Sequence, residues 1–116
     1  MVFICEEKKH LCELALPLLG KWTPFILIAL ENKNCTFAEL ERTIDGISRK
    51  VLAENLHALV NMGILIKKGR PSTGYPVDYS LSELGSSLLP IFYQLKNWLL
   101  TNEDLLLDQL NEHKRS

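Results

Sequence analysis

Apolar residues recur at helical spacing in the middle of the chain, between Ser48 and Gly63. Leu52, Leu56 and Leu59 follow the i, i+4, i+7 spacing that places side chains on one face of a helix. The serine can cap the first turn with its hydroxyl, and the glycine can end the helix in a left-handed conformation. The pattern therefore predicts a capped amphipathic helix between these two residues.

A β-rich run and an alternating run follow this helix and are separated by turn residues. Residues 64–68 read ILIKK, residues 69–76 read GRPSTGYP and residues 77–81 read VDYSL. Glycine and proline interrupt strands, and alternation of apolar and polar residues is typical of a strand with one buried face. We therefore predict a β-hairpin over residues 64–81 with a basic tip. A capped helix followed directly by such a hairpin is the outline of a winged helix-turn-helix.

Two helices are predicted near the start of the chain. The first covers residues 5–20, and Pro17 is expected to disturb its last turn because proline lacks an amide hydrogen. The second begins at Thr23, an N-cap residue that is followed by a proline. Its sequence, PFILIALEN, is apolar almost all round, which is typical of a buried helix.

A capping box predicts the helix that precedes the central one. Thr36 and Glu39 have the Thr-x-x-Glu spacing in which each side chain bonds the other residue's backbone N–H. The Asp45–Gly46 turn that follows is a short, glycine-containing link of the type that joins the two helices of a helix-turn-helix. We therefore predict the helix-turn-helix over residues 36–62.

Two further helices are predicted after the hairpin, over residues 83–114. Ser82 can cap the first of them, and Pro90 predicts a kink or a break within it. Together with the first helix they carry more apolar surface than one small chain can cover, so we expect them to form a dimer interface. The alternative is that these helices pack on each other within one chain. The predicted interface residues are Leu11, Leu14, Trp98, Leu105 and Leu106.

These elements together predict a mainly α fold with a small β-hairpin wing. The arrangement is a winged helix-turn-helix with extra N- and C-terminal dimerisation helices. With 116 residues, of which 47% are hydrophobic, residues 1–116 are expected to form one domain with a modest core.

Positive charge is concentrated on the predicted helix-turn-helix and hairpin. The formal net charge of the chain is only −1, yet six basic residues stand against two acidic ones between Arg42 and Arg70. A protein that contacts phosphates through one surface would carry its positive charge on that surface alone. The distribution therefore favours binding to nucleic acid, which the total charge does not.

Four stretches of the chain together form a recognisable pattern. They are LLGKW at residues 18–22, FAELERTIDGIS at 37–48, the K-x-L-x-x-x-L-x-x-L-x-x-x-G skeleton at 50–63 and YPVDYSLSELGSSL at 75–88. In their order and spacing they resemble the HxlR-type family of bacterial winged-helix transcription regulators. The resemblance implies a homodimer that presents two recognition helices to a pseudo-palindromic operator. It also implies that the N- and C-terminal helices form the dimer interface, and that the wing touches the DNA backbone or the minor groove.

Two positions depart from the pattern of this family. The family commonly carries a Cys-Pro pair ahead of the first helix, which some members use as a redox switch. Lys9–His10 occupies that position, and Cys5 and Cys12 on either side of it are the candidate redox residues. Asn55 stands where the family often has a basic residue, which would change how an operator is read.

The predicted DNA-binding residues come from the helix starts, the recognition helix (residues 48–62) and the wing (residues 67–76). They are Thr36, Ser48, Arg49, Lys50, Glu54, His57, Lys68 and Arg70. The first turn of a recognition helix reaches into the major groove, where arginine can bridge guanine O6 and N7. Glu54 can accept from cytosine N4 or hold Arg49 or Lys50 in place. Lys67 is omitted, because strand alternation puts it on the opposite face from Lys68. The alternative for these charges is a solvated helix end and an edge strand protected against aggregation.

The three cysteines show neither the spacing of a disulfide framework nor that of a zinc site. Cys5, His10 and Cys12 lack a fourth ligand, so neither a metal nor another cofactor is expected. Cys35 precedes a helix start and leaves two alternatives, a thiol with a lowered pKa or an inert, half-buried one.

We therefore expect a sequence-specific transcriptional regulator that binds double-stranded operator DNA as a homodimer. The alternative is a winged-helix module that binds another protein and has no specific DNA site. The sequence shows no catalytic constellation, so an enzyme is not expected. A cytoplasmic location is expected, because neither a signal peptide nor a membrane span is visible. A small-molecule or redox effector stays open.

Overall fold

The computed structural model describes residues 9–70 and 74–115, which form six helices and a small antiparallel sheet. The helices are α1 (Lys9–Leu18), α2 (Thr23–Ala29), α3 (Phe37–Thr43), α4 (Arg49–Asn61), α5 (Glu83–Thr101) and α6 (Glu103–Arg115). The strands are β1 (Cys35–Thr36), β2 (Leu65–Arg70) and β3 (Tyr75–Leu81). The predicted mainly helical fold with a β-hairpin is confirmed. Residues 5–8, the predicted start of the first helix, lie outside the described part.

Thr23 makes a different contact from the predicted one. Trp22 occupies the N-cap position of α2 and makes no side-chain cap. The fully buried hydroxyl of Thr23 instead donates to the carbonyl oxygen of Pro17 at 2.6 Å. A buried hydroxyl needs a partner, and this bond supplies one while joining the end of α1 to the start of α2. The prediction of Thr23 as the N-cap is therefore wrong.

One face of α2 is buried, but the opposite face is open. Ile26 and Leu27 are fully buried, whereas Phe25 is 54% and Ile28 40% exposed. The prediction of a helix that is buried all round is therefore wrong for the second face.

The helix-turn-helix forms as the sequence predicts. The Thr36 hydroxyl accepts from the Glu39 N–H at 3.2 Å, and the Glu39 carboxylate accepts from the Thr36 N–H at 3.0 Å. Gly46 has a φ of 85° in the turn, a conformation that residues with a Cβ rarely adopt. Ser48 caps α4 by accepting from the Val51 N–H at 3.2 Å. The two helices are therefore fixed by local bonds at the start of each.

The hairpin begins directly after Gly63, which ends α4 with a φ of 76°. The antiparallel strands have the order β1-β3-β2, and β2 and β3 form the predicted hairpin, with a bulge between Lys68 and Arg70. The sequence did not predict β1, because two residues are too few to show an alternating pattern.

The core lies between the inner faces of the helices and one face of the sheet. Leu52, Leu56 and Leu59, the predicted apolar stripe of α4, are at most 1% exposed, and Tyr79 of β3 belongs to the same buried cluster. Burial of one leucine side chain contributes about 1.5–3 kcal/mol. The stripe therefore fixes the rotation of α4 about its axis and leaves the opposite face in solvent.

A kink or a break was predicted at Pro90. α5 continues through Pro90 as a single helix, so it has no break there. The predicted cap is present, because the Ser82 hydroxyl accepts from the Gly85 N–H at 3.0 Å. A Cβ at Gly85 would overlap the carbonyl oxygen of Ile64, so the glycine lets α5 pack directly against the start of the hairpin.

None of the helices in the described part of the chain is long and apolar enough to cross a membrane.

Candidate nucleic-acid interface

The solvent face of α4 carries four of the predicted DNA-binding side chains. Arg49, Lys50, Glu54 and His57 are all exposed, because the apolar stripe holds the other face in the core. Among the described residues Lys50 has no ion-pair partner. Its ammonium group is therefore available to an anion outside the chain.

Arg49 is held by the first helix of the helix-turn-helix. Its Nε lies 3.7 Å from a carboxylate oxygen of Glu41, and its guanidinium stands 5.8 Å from the centre of the Phe37 ring. Glu54 was predicted as a residue that could hold Arg49, but the partner in the structure is Glu41. The contact joins α3 to α4, so it depends on the angle between the helices rather than on spacing within one helix.

The polar residues further along α4 differ in their exposure. The Asn61 amide nitrogen lies 3.1 Å from Nε2 of His57, so these two exposed side chains support each other one turn apart. The half-buried Asn55 amide donates to the Val51 carbonyl oxygen at 2.8 Å. This position turns Asn55 away from the face that carries Lys50, and the geometry gives no support to a direct base contact from it.

The two capping hydroxyls differ in their access to a ligand. Ser48 is exposed, and its hydroxyl accepts from a backbone N–H while keeping its own hydrogen for a phosphate oxygen. Thr36 is half-buried beside the Glu39 carboxylate. The bond from the Thr36 N–H, and after it the bond from the Thr36 hydroxyl, lower the pKa of Glu39. Because Glu39 already occupies the Thr36 N–H and hydroxyl, the geometry favours a phosphate at Ser48 over one at Thr36.

The two adjacent lysines of the wing lie on opposite faces of β2. Lys68 is paired in register with Asp78, and Lys67 is paired with Tyr79, whose buried ring faces the core. Arg70 belongs to β2, but its side chain lies outside the described part of the structure.

A groove of about 400 Å³ lies between α4 and the sheet. Its lining residues are Phe37, Ala53, Leu56, His57, Val60, Lys67 and Tyr79. The structure thus places Lys67, which is absent from the predicted DNA-binding residues, in the same groove as His57, which is one of them. Burial raises the pKa of Tyr79, so its hydroxyl stays neutral and adds no negative charge to the groove.

Of the two alternatives for Cys35, a thiol with a lowered pKa or an inert thiol, the structure supports the inert thiol. Its side chain is 2% exposed, and its thiol lies 3.8 Å from the carbonyl oxygen of Ala29. Burial raises the pKa of this thiol, so the alternative with a lowered pKa is wrong. Cys5 and the side chain of Cys12 lie outside the described part. Within that part, no group of His, Cys, Asp and Glu side chains could hold a metal ion.

The predicted interface residues lie on α1, α5 and α6 and are open to solvent. Leu11, Leu14, Trp98, Leu105 and Leu106 are each between 37% and 66% exposed. The side chains that the structure describes on α6 are all exposed. Packing among the described residues therefore leaves this apolar surface exposed.

The fold and this surface define a winged helix-turn-helix protein of the class that regulates transcription by binding DNA. A model of the HxlR-like helix-turn-helix family matches residues 18–105. The chain therefore belongs to the HxlR-like helix-turn-helix family, and the resemblance inferred from its sequence is confirmed.

Proteins similar to this chain are described as regulators. The chain is 32% identical over 102 residues to the regulatory protein MalR of Fusobacterium mortiferum. The aligned residues cover 84% of this chain and 96% of MalR. The structure of the transcriptional regulator YtfH from Salmonella typhimurium has a TM-score of 0.74 and 31% identity, over 85% of this chain and 88% of YtfH. The reduced form of the transcriptional regulator YodB from Bacillus subtilis has a TM-score of 0.67 and 30% identity, over 79% of this chain and 89% of YodB. Members of this family regulate transcription, which confirms the expectation that the protein is not an enzyme.

Proposed function

We propose that the protein acts as a homodimer on a pseudo-palindromic operator, with α4 of each chain in the major groove. The observation that carries the proposal is the rotation of α4. Its buried leucines turn Arg49, Lys50, Glu54 and His57 outward beside the hairpin. The major groove, about 12 Å wide, admits an α-helix, and the wing then reaches the backbone or the adjacent minor groove.

The residues of this face have different roles in the proposal. Arg49 bridges guanine O6 and N7 once its exposed ion pair with Glu41 opens. Lys50 contacts guanine or a phosphate, and Ser48 donates to a phosphate at the start of α4. Glu54 accepts from cytosine N4, which would make it a reader of sequence rather than a source of affinity.

The dimer in this proposal is formed by the terminal helices of one domain that spans residues 1–116. α1, α5 and α6 all carry exposed apolar side chains that a second copy would cover. A stable interface usually buries about 800 Å² on each partner. Symmetric pairing of these helices presents two copies of α4 to one face of a duplex, as a palindromic site requires.

A redox effector is proposed only through Cys5 and Cys12. The structures similar to this chain include a redox regulator, HypR, in its reduced form, and diamide-treated YodB. Cys35 is excluded from this role by its burial. If a mild oxidant left both the DNA affinity and the oligomeric state unchanged, this part of the proposal would be removed.

The experiment that tests the proposal is selection of binding sites from a random duplex library with the purified protein. We expect an inverted repeat with half-sites about 34–36 Å apart, or a multiple of that distance. Specific binding should survive added salt better than binding to scrambled DNA. If no motif emerges and all binding disappears with salt, the winged helix is better explained as a surface for a protein partner.

A further inference from the structure

The groove between α4 and the sheet combines an apolar floor with positively charged or neutral polar groups. Leu56, Val60 and Tyr79 form part of the floor, and the groove is also lined by Lys67 from β2 and His57 from α4. None of the described residues that line the groove is acidic. The groove therefore suits an elongated anion with apolar sides, such as one sugar-phosphate strand.

A second cation stands beside the same groove. Phe37 lines it, and the guanidinium of Arg49 lies 5.8 Å from the centre of that ring. Lys67 on β2 supplies positive charge to the groove directly, and Arg49 on α4 supplies it once its ion pair with Glu41 opens. A strand that follows the groove passes both groups.

The other wing lysine is in a different electrostatic environment. Lys68 faces a shallow depression that it shares with Gly69, Pro76 and Asp78. Asp78 is the cross-strand neighbour of Lys68, and one of its carboxylate oxygens is buried and has no hydrogen-bond partner among the described residues. A carboxylate directly across the strand pair offsets the charge of Lys68, whereas the cross-strand neighbour of Lys67 is the neutral Tyr79.

When a recognition helix lies in the major groove and the wing lies at the adjacent minor groove, the geometry of the duplex determines which part of the DNA lies between them. One sugar-phosphate strand separates the major groove from the adjacent minor groove. We infer that this strand lies in the groove between α4 and the sheet, where the Lys67 ammonium pairs with a phosphate. The inference rests on the proposed position of α4, and it replaces Lys68 with Lys67 as the principal backbone contact of the wing.

The test compares Lys67→Ala with Lys68→Ala, a matched pair of adjacent, exposed lysines on opposite faces of one strand. The probe is a mixed-sequence duplex of about 25 base pairs, and its fluorescence anisotropy is titrated at several salt concentrations. Loss of one phosphate contact makes the negative slope of log K against log[salt] less steep by about 0.9. It also weakens binding about fivefold near physiological salt. We expect this effect for Lys67→Ala and less than half of it for Lys68→Ala.

Two further variants separate loss of charge from loss of fold. Lys67→Gln keeps most of the side-chain stem and should reproduce the effect, whereas Lys67→Arg should restore the slope. Thermal unfolding of each variant should match that of the wild type, because Lys67 is exposed. Equal effects of the two alanine variants, or a larger effect of Lys68→Ala, would overturn the inference. Because the duplex has no chosen sequence, this result does not depend on whether the library selection finds an operator.

Discussion

A single side chain shows how the recognition surface is arranged before DNA arrives. Arg49 is 79% exposed, yet Glu41 and the Phe37 ring hold its guanidinium near the groove. An ion pair at the surface, here at 3.7 Å between the exposed Arg49 and the half-buried Glu41, contributes about 0–1 kcal/mol, so replacing it by a contact with phosphate or guanine costs little. The pair is therefore a weak competitor for the Arg49 guanidinium, and it opens when DNA binds.

Glu41→Gln tests this role at the scale of one residue. The change removes a negative charge close to the phosphates and frees Arg49, so DNA affinity should rise about two- to fivefold at low salt and less at high salt. Anisotropy titrations at two salt concentrations measure the change. Glu112→Gln on α6 is the control, because it changes the net charge equally at a distant, exposed position. Weaker binding by Glu41→Gln would mean that Glu41 holds Arg49 in its productive position.

Among the elements, α3 depends most clearly on one local motif. It has seven residues, too few for a stable helix by propensity alone, and its start is fixed by the reciprocal bonds between Thr36 and Glu39. The same bonds lower the pKa of Glu39, which links the stability of the element to pH.

The Glu39→Gln variant should therefore differ from the wild type in a pH-dependent way. A carboxylate with a pKa lowered by folding contributes stability above its ordinary pKa of about 4.3, and this contribution is lost as the pH falls through the folded-state value. The difference in unfolding free energy should be constant at neutral pH and shrink in acid. Denaturant unfolding at several pH values measures it. A difference that does not change with pH would show that the charge of Glu39 is not involved.

The sequence predicts those features of the fold that depend on residues close together in the chain. The capping box at Thr36 and the stripe of Leu52, Leu56 and Leu59 depend only on spacing within one helix, and both are present. β1 was missed, because its two residues are a strand only through their pairing with β3. The buried bond of Thr23 was missed for the same reason, since its acceptor comes from another helix.

For the candidate site, the sequence predicts which residues share a face of one element but not which elements meet. The sequence identified the charged face of α4, and the alternation in β2 placed Lys67 and Lys68 on opposite faces, as the structure has them. What alternation could not show is which of these faces adjoins α4 and which adjoins Asp78. The partner of Arg49 was also missed, because Glu41 meets it only after the two helices pack.

At the scale of the whole molecule, the dominant feature is apolar surface that stays exposed in the part of the chain that the structure describes. Exposed leucines and a tryptophan lie on α1, α5 and α6, and the described side chains of α6 are all in solvent. Exposed apolar surface of this extent marks an interaction site, which is the basis for proposing a dimer.

Acidic substitutions on α6 should dissociate that dimer without unfolding the chain. Leu105→Asp combined with Leu106→Asp places two charges in the proposed interface, where their desolvation would oppose association. We expect a dimer for the wild type and a monomer for the double variant in sedimentation velocity runs, with unchanged helical content by circular dichroism. Ile66→Asp, on the outer face of the sheet, is the control and should stay dimeric. A monomeric wild type would contradict the proposed assembly.

The most direct test of the central claim is the specificity of α4. The affinities of the wild type and of the double variant Arg49→Ala/Lys50→Ala are measured for the duplex obtained by selection and for a scrambled duplex. Each good base contact contributes about 1–3 kcal/mol of discrimination, so the ratio of the two affinities should fall at least about fivefold in the double variant. Lys96→Ala on α5 should leave the ratio unchanged. If the double variant folds and keeps the wild-type ratio, α4 does not read the operator through these residues.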